Sequence, residues 1–237
     1  MSTSTLLENI NAVYKRISHA AMRAGRNPEE VKLIAVTKTV EARRIREAID
    51  AGLRVFGENR VQEAKGKIEE LARLSTADYR LPAGEWHLIG HLQRNKAKYA
   101  VRLFDLIHSV DSVGLAQELN RQAEKTGKVQ DMLIEVKLSH EEAKHGVLRE
   151  GLPGLLNDVR GLKNLRIKGL MTIPPFSENP EDARPYFRGL RELRDEFAGQ
   201  DFDLPELSMG MSDDLEVAIE EGATMVRIGS AIFGVRK

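Results

Sequence analysis

Short apolar runs alternate with longer amphipathic segments along almost the whole chain, and this alternation is the strongest constraint on the fold. Each run reads as a strand buried on both faces, and a segment with helical spacing of apolar residues follows it. Eight such runs occur, at 31–37, 54–57, 85–90, 105–110, 131–138, 165–171, 206–209 and 224–229. Strands that alternate with helices predict a parallel sheet, and eight strand–helix pairs are the count of a (β/α)8 TIM barrel. A doubly wound open sheet stays as the alternative, because periodicity does not show whether the sheet closes.

An additional helix is predicted ahead of the first strand. Its apolar positions recur at helical spacing, and the segment 25–28, Gly-Arg-Asn-Pro, ends it. These positions are Leu6, Ile10, Val13, Ile17 and Ala20. Since no linker rich in proline, glycine or serine divides the chain, we expect one domain over residues 1–237, an α/β barrel with an extra N-terminal helix.

Composition and charge exclude several classes of protein. The 36 basic residues are balanced by 36 acidic ones, so the chain lacks the basic surface that binds nucleic acid or an anionic membrane. It contains no cysteine, which excludes disulfides, thiolate metal sites and cysteine nucleophiles. Since the sequence shows neither a signal peptide nor a long uninterrupted apolar run, we expect a cytoplasmic protein with no membrane or nucleic-acid partner.

The barrel prediction places functional groups at the carboxyl ends of the strands. Lys38 directly follows the first strand, where its amine could form an imine with an aldehyde ligand. The more ordinary role for such a lysine is a solvated surface charge. Asn59 follows the second strand, and either a hydrogen bond to a ligand or capping of the next helix would explain it.

Small residues follow the last two predicted strands, at the place where (β/α)8 barrels commonly bind phosphate. The two segments are 208–214, Ser-Met-Gly-Met-Ser-Asp-Asp, and Gly229-Ser230. A small residue just before a helix lets backbone N–H groups approach an anion, and the helix dipole favours the negative charge. These loops are therefore a candidate phosphate cradle.

Arg227 lies inside the eighth predicted strand. Its side chain could place a fixed cation in the barrel, or it could pair with a buried carboxylate such as Glu135. A lysine at the first strand, an arginine at the eighth and a phosphate cradle together favour a phosphorylated aldehyde as ligand. Pyridoxal 5′-phosphate (PLP) is the leading candidate.

The histidines show no local spacing typical of a metal site. None of the six forms an HxH or HExxH pattern, and we therefore predict no metal site. His87 alternates with apolar neighbours in the third strand and is interpreted as a packed histidine. Asp111, after the fourth strand, is interpreted as the N-cap of the following helix.

Six segments, found in order along nearly the whole chain, carry a family resemblance. They are AVTK at 35–38, FGENRVQE at 56–63, WHLIGHLQRNK at 86–96, GLMTI at 169–173, SMGMSDDLEVAI at 208–219 and VRIGSAIFG at 226–234. With these segments the chain resembles the pyridoxal-phosphate homeostasis protein family, the single-domain relatives of the alanine racemase barrel. The resemblance implies the PLP-binding barrel known as fold type III.

The resemblance also implies roles for individual residues. Lys38 matches the lysine that forms the internal aldimine with PLP, and Arg227 matches the arginine that faces the pyridine nitrogen. Asn59 matches an asparagine beside the cofactor. Three further residues match the positions that bind the phosphate: Ser212, Gly229 and Ser230. The backbone of Met209 and Gly210 is implied to assist them.

The chain departs from the family pattern at three positions around the barrel mouth. His91 stands where family members often have proline, Lys137 stands where they often have asparagine, and His145 stands where they have serine. These differences concern what approaches the cofactor rather than the phosphate cradle.

The function that the resemblance implies is PLP homeostasis. The chain would hold PLP on Lys38 and buffer it or deliver it transiently to apo PLP-dependent enzymes, without catalysing a reaction of its own. An amino-acid racemase is one alternative, and a barrel enzyme that acts on a sugar phosphate is another. A guanidinium opposite the pyridine nitrogen disfavours protonation of that nitrogen and weakens electron withdrawal by the ring, and racemases with this arrangement still work by using two bases.

The racemase relatives use the lysine and a tyrosine from a second domain as their two bases. We expect that domain to be absent here, which also favours a monomer. The tyrosines of this chain are predicted in helices or loops away from the strand ends; they are Tyr14, Tyr79, Tyr99 and Tyr186.

Overall fold

The computed structural model describes residues 3–74, 84–139, 141, 144–200 and 202–234. The strands in this part of the chain are β1 (Lys32–Val36), β2 (Val55–Glu58), β3 (Glu85–Leu88), β4 (Leu106–Val110), β5 (Gln130–Lys137), β6 (Val147–Leu148), β7 (Leu165–Met171), β8 (Glu206–Ser208) and β9 (Met225–Ile228). The helices are α1 (Thr3–Arg23), α2 (Ala42–Asp50), α3 (Val61–Leu74), α4 (Ala97–Leu103), α5 (Val113–Lys125), α6 (Leu152–Arg160), α7 (Arg184–Ala198), α8 (Leu215–Glu220) and α9 (Ser230–Phe233). None of these helices combines the length and apolar character that crossing a membrane requires.

The sheet closes into a barrel. Eight strands pair in parallel in the order β4-β3-β2-β1-β9-β8-β7-β5, and β5 pairs back with β4. In that closing pair Leu106 lies opposite Asp131, and Ile107 lies opposite Met132. The predicted (β/α)8 barrel is confirmed, and the open-sheet alternative is excluded because the two strands that would form its edges are paired with each other.

The predicted strands agree with the observed ones to within two residues at each end. β6 is the exception, because no apolar run predicted it. This two-residue strand pairs with the end of β5, where Val136 lies opposite Val147. It extends the wall of the barrel mouth after β5.

Helix α1 completes the outer layer next to the short helix α9, which has four residues. α1 packs against both α8 and α9. Arg16 on α1 forms a bidentate ion pair with Glu216 on α8, at 2.6 and 2.8 Å, and the Asn9 Nδ2 donates to the Ile232 carbonyl at 3.0 Å. The five apolar positions predicted for this helix are all buried, so the extra N-terminal helix is confirmed.

Side chains alternate between the barrel interior and the layer beneath the helices, as parallel strands require. An apolar cluster separate from the main core contains Ile34, Leu106, Leu133, Met171 and Met225. Buried polar side chains at inward-facing positions of the barrel strands accompany it; they are His87, His108, Glu135, Ser208 and Arg227. A barrel interior with this much buried polarity needs a hydrogen-bond partner for nearly every group.

Gly169 explains one of the motif segments in structural terms. Its φ is +155°, and a Cβ built there would lie 1.9 Å from the Glu206 carbonyl oxygen on the neighbouring strand β8. A side chain at this position would push two barrel strands apart. The glycine therefore belongs to barrel packing rather than to ligand binding.

Candidate functional site

A cavity of about 360 Å³ opens at the carboxyl ends of the barrel strands. It brings together six of the eight residues predicted to bind the cofactor: Lys38, Asn59, Ser212, Arg227, Gly229 and Ser230. The other residues on its wall are Val36, Ile89, Ile173, Met211 and Asp213. The cavity thus has an amine on one side, small-residue loops on another, and a largely apolar lining between them.

Met209 and Gly210 lie behind this wall rather than on it. Both residues are buried, and the Met209 N–H already donates to the Met225 carbonyl at 3.1 Å. Gly210 has a φ of +93°, and a Cβ there would lie 2.6 Å from the Ala218 side chain on α8. The packing gives these two residues a framework role, and their backbone contact with phosphate, which the resemblance implies, stays a prediction.

Lys38 is exposed at the cavity wall, just after the end of β1. The residues on either side of it are tightly held. The Thr37 hydroxyl donates to Glu58 Oε1 at 2.7 Å, and the Thr39 N–H donates to Glu63. Thr39 also has a φ of +61°, a conformation that a β-branched residue adopts only when its surroundings impose it.

A buried ammonium group organises these contacts. Lys67 Nζ donates to the Thr37 carbonyl at 2.6 Å, to Glu58 Oε1 at 2.7 Å and to Glu63 Oε1 at 2.6 Å. Burial raises the pKa of the Glu58 carboxyl, and the hydrogen bonds from Lys67 and Thr37 oppose that rise. Lys67 therefore fixes the turn that carries Lys38 without touching the cavity. The sequence did not reveal this, because Lys67 reads as one more charge on an amphipathic helix.

Arg227 is the buried cation on the cavity wall. Its Nη1 donates to the Ser208 hydroxyl at 2.6 Å, and its Nη2 donates to the Thr172 carbonyl at 2.9 Å. Burial lowers its pKa to about 10, and the charges of Asp214 and Glu135 oppose that change, so the guanidinium keeps its charge at neutral pH. Within the described residues no hydrogen bond or ion pair joins Arg227 to Glu135, so the direct pairing considered for them does not form.

A chain of hydrogen bonds leads from Arg227 through the barrel interior. Ser208 Oγ lies 2.9 Å from His108 Nδ1, His108 Nε2 lies 2.9 Å from His87 Nδ1, and His87 Nε2 lies 2.7 Å from Glu85 Oε1. Arginine only donates and a carboxylate only accepts, so every group is satisfied when the protons all point from Arg227 towards Glu85. Burial holds the pKa of His108 well below its usual value, which keeps that imidazole neutral, as this assignment requires.

The far end of this chain lies at the opposite end of the barrel. The hydrogen bond from His87 lowers the pKa of Glu85 to about 2, and Lys32 lies 3.3 Å from the same carboxylate. Arg227 is thus held by a network that crosses the barrel. His87 is a packed histidine, as predicted, and it is also one link in this support for the cavity.

Replacing Ser208 by alanine tests that support. The change removes the acceptor for Arg227 and the donor for His108, and both partners are buried. We expect Ser208→Ala to lower the free energy of unfolding by about 1–3 kcal/mol, the usual cost of an unsatisfied buried group. Urea denaturation measures this. Ser18→Ala, at a half-buried position of α1, is the control and should stay within about 0.5 kcal/mol of wild type. Equal values for the two variants would show that the network does not stabilise the barrel.

The loops after β8 and β9 form one side of the cavity. The Met211 N–H donates to Asp214 Oδ1 at 2.5 Å, which closes the turn before α8. Ser212 Oγ accepts from the Ala231 N–H at 3.4 Å, which links this turn to the start of α9. Because the turns are held together, the hydroxyl of Ser212 and the segment Gly229-Ser230 face one shared space.

Comparison with known proteins identifies the family. The model of the family "Alanine racemase, N-terminal domain" matches residues 8–237. A pyridoxal phosphate homeostasis protein of Aquifex aeolicus is 52% identical over 97% of this chain and 98% of its own length. The chain belongs to the pyridoxal phosphate homeostasis protein family.

Solved structures agree with membership of this homeostasis family. PipY of Synechococcus elongatus, solved with PLP bound, matches with a TM-score of 0.81 and 41% identity, over 94% of this chain and 100% of that one. The alanine racemase of Clostridium difficile matches with a TM-score of 0.70 at 15% identity. That second match shows the fold alone, and it covers 98% of this chain but 57% of the racemase.

The positions of the tyrosines bear on the alternative that the chain is an amino-acid racemase. Tyr14 lies on α1, Tyr99 on α4 and Tyr186 on α7, and Tyr79 lies outside the described residues. None of the three described tyrosines lines the cavity.

Asp111 does not cap α5. The N-cap of that helix is Ser112, and Asp111 precedes it, with one carboxylate oxygen 3.8 Å from His91 Nδ1. The interpretation of Asp111 as an N-cap was wrong, because α5 begins at Val113, one residue later than a cap at 111 requires.

Proposed function

We propose that this chain binds PLP in the Lys38 cavity and serves PLP homeostasis in the cytoplasm, buffering the cofactor or delivering it to apo enzymes. The names of its relatives and the PLP bound to PipY support this proposal. The observation that carries it is the convergence of Lys38, Arg227 and the loops after β8 and β9 on a single cavity.

The residues of the cavity fit the chemistry of PLP. When bound, PLP supplies an aldehyde that condenses with a primary amine, and a pyridine ring that withdraws electrons. In the proposal, the Lys38 amine provides the nitrogen of a Schiff base, and one water molecule is released as the C=N bond forms. Thr37 donates to Glu58 and Thr39 donates to Glu63, and these two contacts keep the amine at the cavity wall.

The opposite side of the cavity suits a phosphate group. Ser212 and Ser230 offer hydroxyl donors, and Gly229 lets the backbone approach an anion closely. Asn59 offers an amide on the wall between these loops and the turn after β3. We assign Ser212, Gly229 and Ser230 to the phosphate and Asn59 to a polar contact beside the ring.

Arg227 favours a carrier over a catalyst. We assign it to the pyridine nitrogen, because it is the buried cation on the wall of this cavity. A guanidinium there disfavours protonation of the nitrogen, and the hydrogen-bond chain to Glu85 holds the guanidinium in place. A ring that stays unprotonated is a weak electron sink, which suits storage and transfer of the cofactor better than reactions at an amino-acid substrate.

Absorbance spectroscopy tests the proposal. We expect the purified full-length chain, incubated with PLP and desalted, to show the yellow band of a Schiff base, and Lys38→Arg to show none. Lys137→Arg, at the end of β5, is the matched control and should keep the band. Borohydride reduction followed by peptide mass analysis should place the adduct on Lys38. Circular dichroism confirms that the variants are folded.

The same samples separate the possible functions. A carrier is expected to restore activity to an apo PLP-dependent enzyme. It is also expected to form no D-alanine when it is incubated with L-alanine. Formation of D-alanine would show that the function is racemisation rather than cofactor transfer. A band that persists in Lys38→Arg, or a wild type that never binds PLP, would overturn the assignment of this cavity. Sedimentation of the loaded protein measures whether it is a monomer, as we propose.

A further inference from the structure

Three side chains from separate loops meet at the rim of the barrel mouth. They are His91 after β3, Asp111 after β4 and His145 after β5, and each offers a ligand atom within 4.8 Å of the others. The rings of His91 and His145 stack at 3.8 Å between centroids with 12° between their planes. We propose that these residues form a binding site for a divalent transition-metal ion such as Zn²⁺.

The chemistry of the donors selects the class of metal. Two imidazoles and one carboxylate are a set that Zn²⁺, Ni²⁺ and Cu²⁺ bind well, whereas Mg²⁺ and Ca²⁺ prefer oxygen ligands alone. Metal–nitrogen distances in such sites are about 2.0–2.1 Å. A ring nitrogen binds a metal in the plane of its ring, so on binding the two imidazoles turn out of the stacked arrangement until both nitrogens face one ion. Three protein ligands leave at least one coordination position for water or another small ligand.

The backbones that carry the ligands of this metal site are fixed, as a metal site requires. The Ser109 hydroxyl on β4 donates to the Gly90 carbonyl at 2.7 Å, which joins the segment before Asp111 to the residue before His91. A Cβ at Gly90 would lie 2.6 Å from the Asn59 carbonyl oxygen, so this turn is packed against the loop after β2. The first two ligands therefore have a defined separation.

The third ligand is held on both sides. Lys144 donates to the carbonyls of Ile173, at 3.3 Å, and Pro174. Gly146 has a φ of +116°, and a Cβ there would lie 2.8 Å from the Lys137 nitrogen. His145 lies between these two anchored residues, and its imidazole lies against the His91 ring at the rim.

No local sequence motif predicts this metal site. The ligands are separated by 20 and 34 residues, so no short motif joins them. Both histidines stand at positions where the resemblance leads us to expect other residues, proline and serine. The metal site is therefore a property of this chain, and it is independent of Lys38 and of bound PLP. It borders a cleft lined by Asn59 and His91, and Asn59 also lines the Lys38 cavity.

Calorimetric titration of the untagged full-length chain with Zn²⁺, in buffer without free PLP, tests the inference. We expect one ion per chain. We also expect affinity at least about tenfold lower in His91→Ala, His145→Ala and Asp111→Asn, since loss of even an outer-shell partner costs about that much. His19→Ala, an exposed histidine on α1, is the matched control and should bind like wild type. Mg²⁺ at the same concentration should give no binding.

Three results would overturn the metal site. The first is a wild-type chain that binds no Zn²⁺, and the second is equal affinity in the rim variants and His19→Ala. The third is Mg²⁺ binding as strong as that of Zn²⁺, which would reduce the cluster to an ordinary carboxylate contact. Thermal unfolding of each variant shows whether it is folded. If a histidine variant does not fold, Asp111→Asn still tests the site.

Discussion

Lys67→Met is expected to lower the free energy of unfolding by about 3–5 kcal/mol, the usual cost of removing one partner from a buried ion pair. Lys67 satisfies Glu58, Glu63 and the Thr37 carbonyl, and the Glu58 side chain is completely buried. Without the ammonium, a carboxylate with no compensating charge stays in the core. This loss is a large share of the roughly 5–15 kcal/mol that stabilises a typical domain. Urea denaturation measures it.

Lys65→Met is the matched control for Lys67→Met. Lys65 is on the same helix, two residues earlier, and its ion pair with Glu69 at 3.7 Å is more than half exposed. We expect this control to change stability by less than about 0.5 kcal/mol. If the cost comes from the stranded carboxylate, adding Glu58→Gln to Lys67→Met should recover part of the lost stability. A double variant no more stable than Lys67→Met would point to lost packing instead.

Glu135→Gln is expected to change how stability depends on pH. Burial raises the pKa of Glu135 to about 7 from an ordinary value of 4.5, the charge of Asp111 adds to this, and the charge of Arg227 opposes it. One carboxylate oxygen of Glu135 is buried without a hydrogen-bond partner. The folded state therefore binds a proton more tightly than the unfolded state. Its stability falls as pH rises from about 4.5 to about 7, and the loss is complete above that range.

Glutamine at 135 resembles the protonated carboxyl and cannot ionise. We expect Glu135→Gln to match wild type near pH 4.5 and to be up to about 3 kcal/mol more stable at pH 8, at about 1.4 kcal/mol for each pKa unit. Urea denaturation across this pH range measures the difference. Glu124→Gln, an exposed change on α5, should follow the wild-type curve at every pH. A Glu135→Gln curve parallel to that of wild type would mean that Glu135 does not titrate in this range.

The architecture could be predicted because it depends on local signals. Strands buried on both faces leave continuous apolar runs, and the helices between them leave an amphipathic period, so each element was visible alone. Closure of the barrel was only inferred from a count. It depends on the pairing of β4 with β5, which no single segment encodes.

The candidate site, too, was predictable only where the signal is local. Lys38 and Arg227 were predicted as neighbours at the barrel mouth because the strand count places them on the first and last strands, and both line the cavity. The supporting groups were not found, because their meaning depends on partners far along the chain. Lys67 resembles a solvated charge until the fold places it against Glu58, and the rim histidines share no motif with Asp111.

The pairing of β1 with β9 has a consequence for how the cavity comes into being. Ile34 lies opposite Arg227 in that pair, so the strand that leads to Lys38 and the strand that carries Arg227 are neighbours in space and 193 residues apart in sequence. Such a contact forms late and slowly, because a long loop must close first. The proposed cofactor cavity therefore lies where the first strand of the barrel meets the last. A ligand that bridges these two strands stabilises the completed barrel over any partly assembled chain, and cofactor loading then reports that folding has finished.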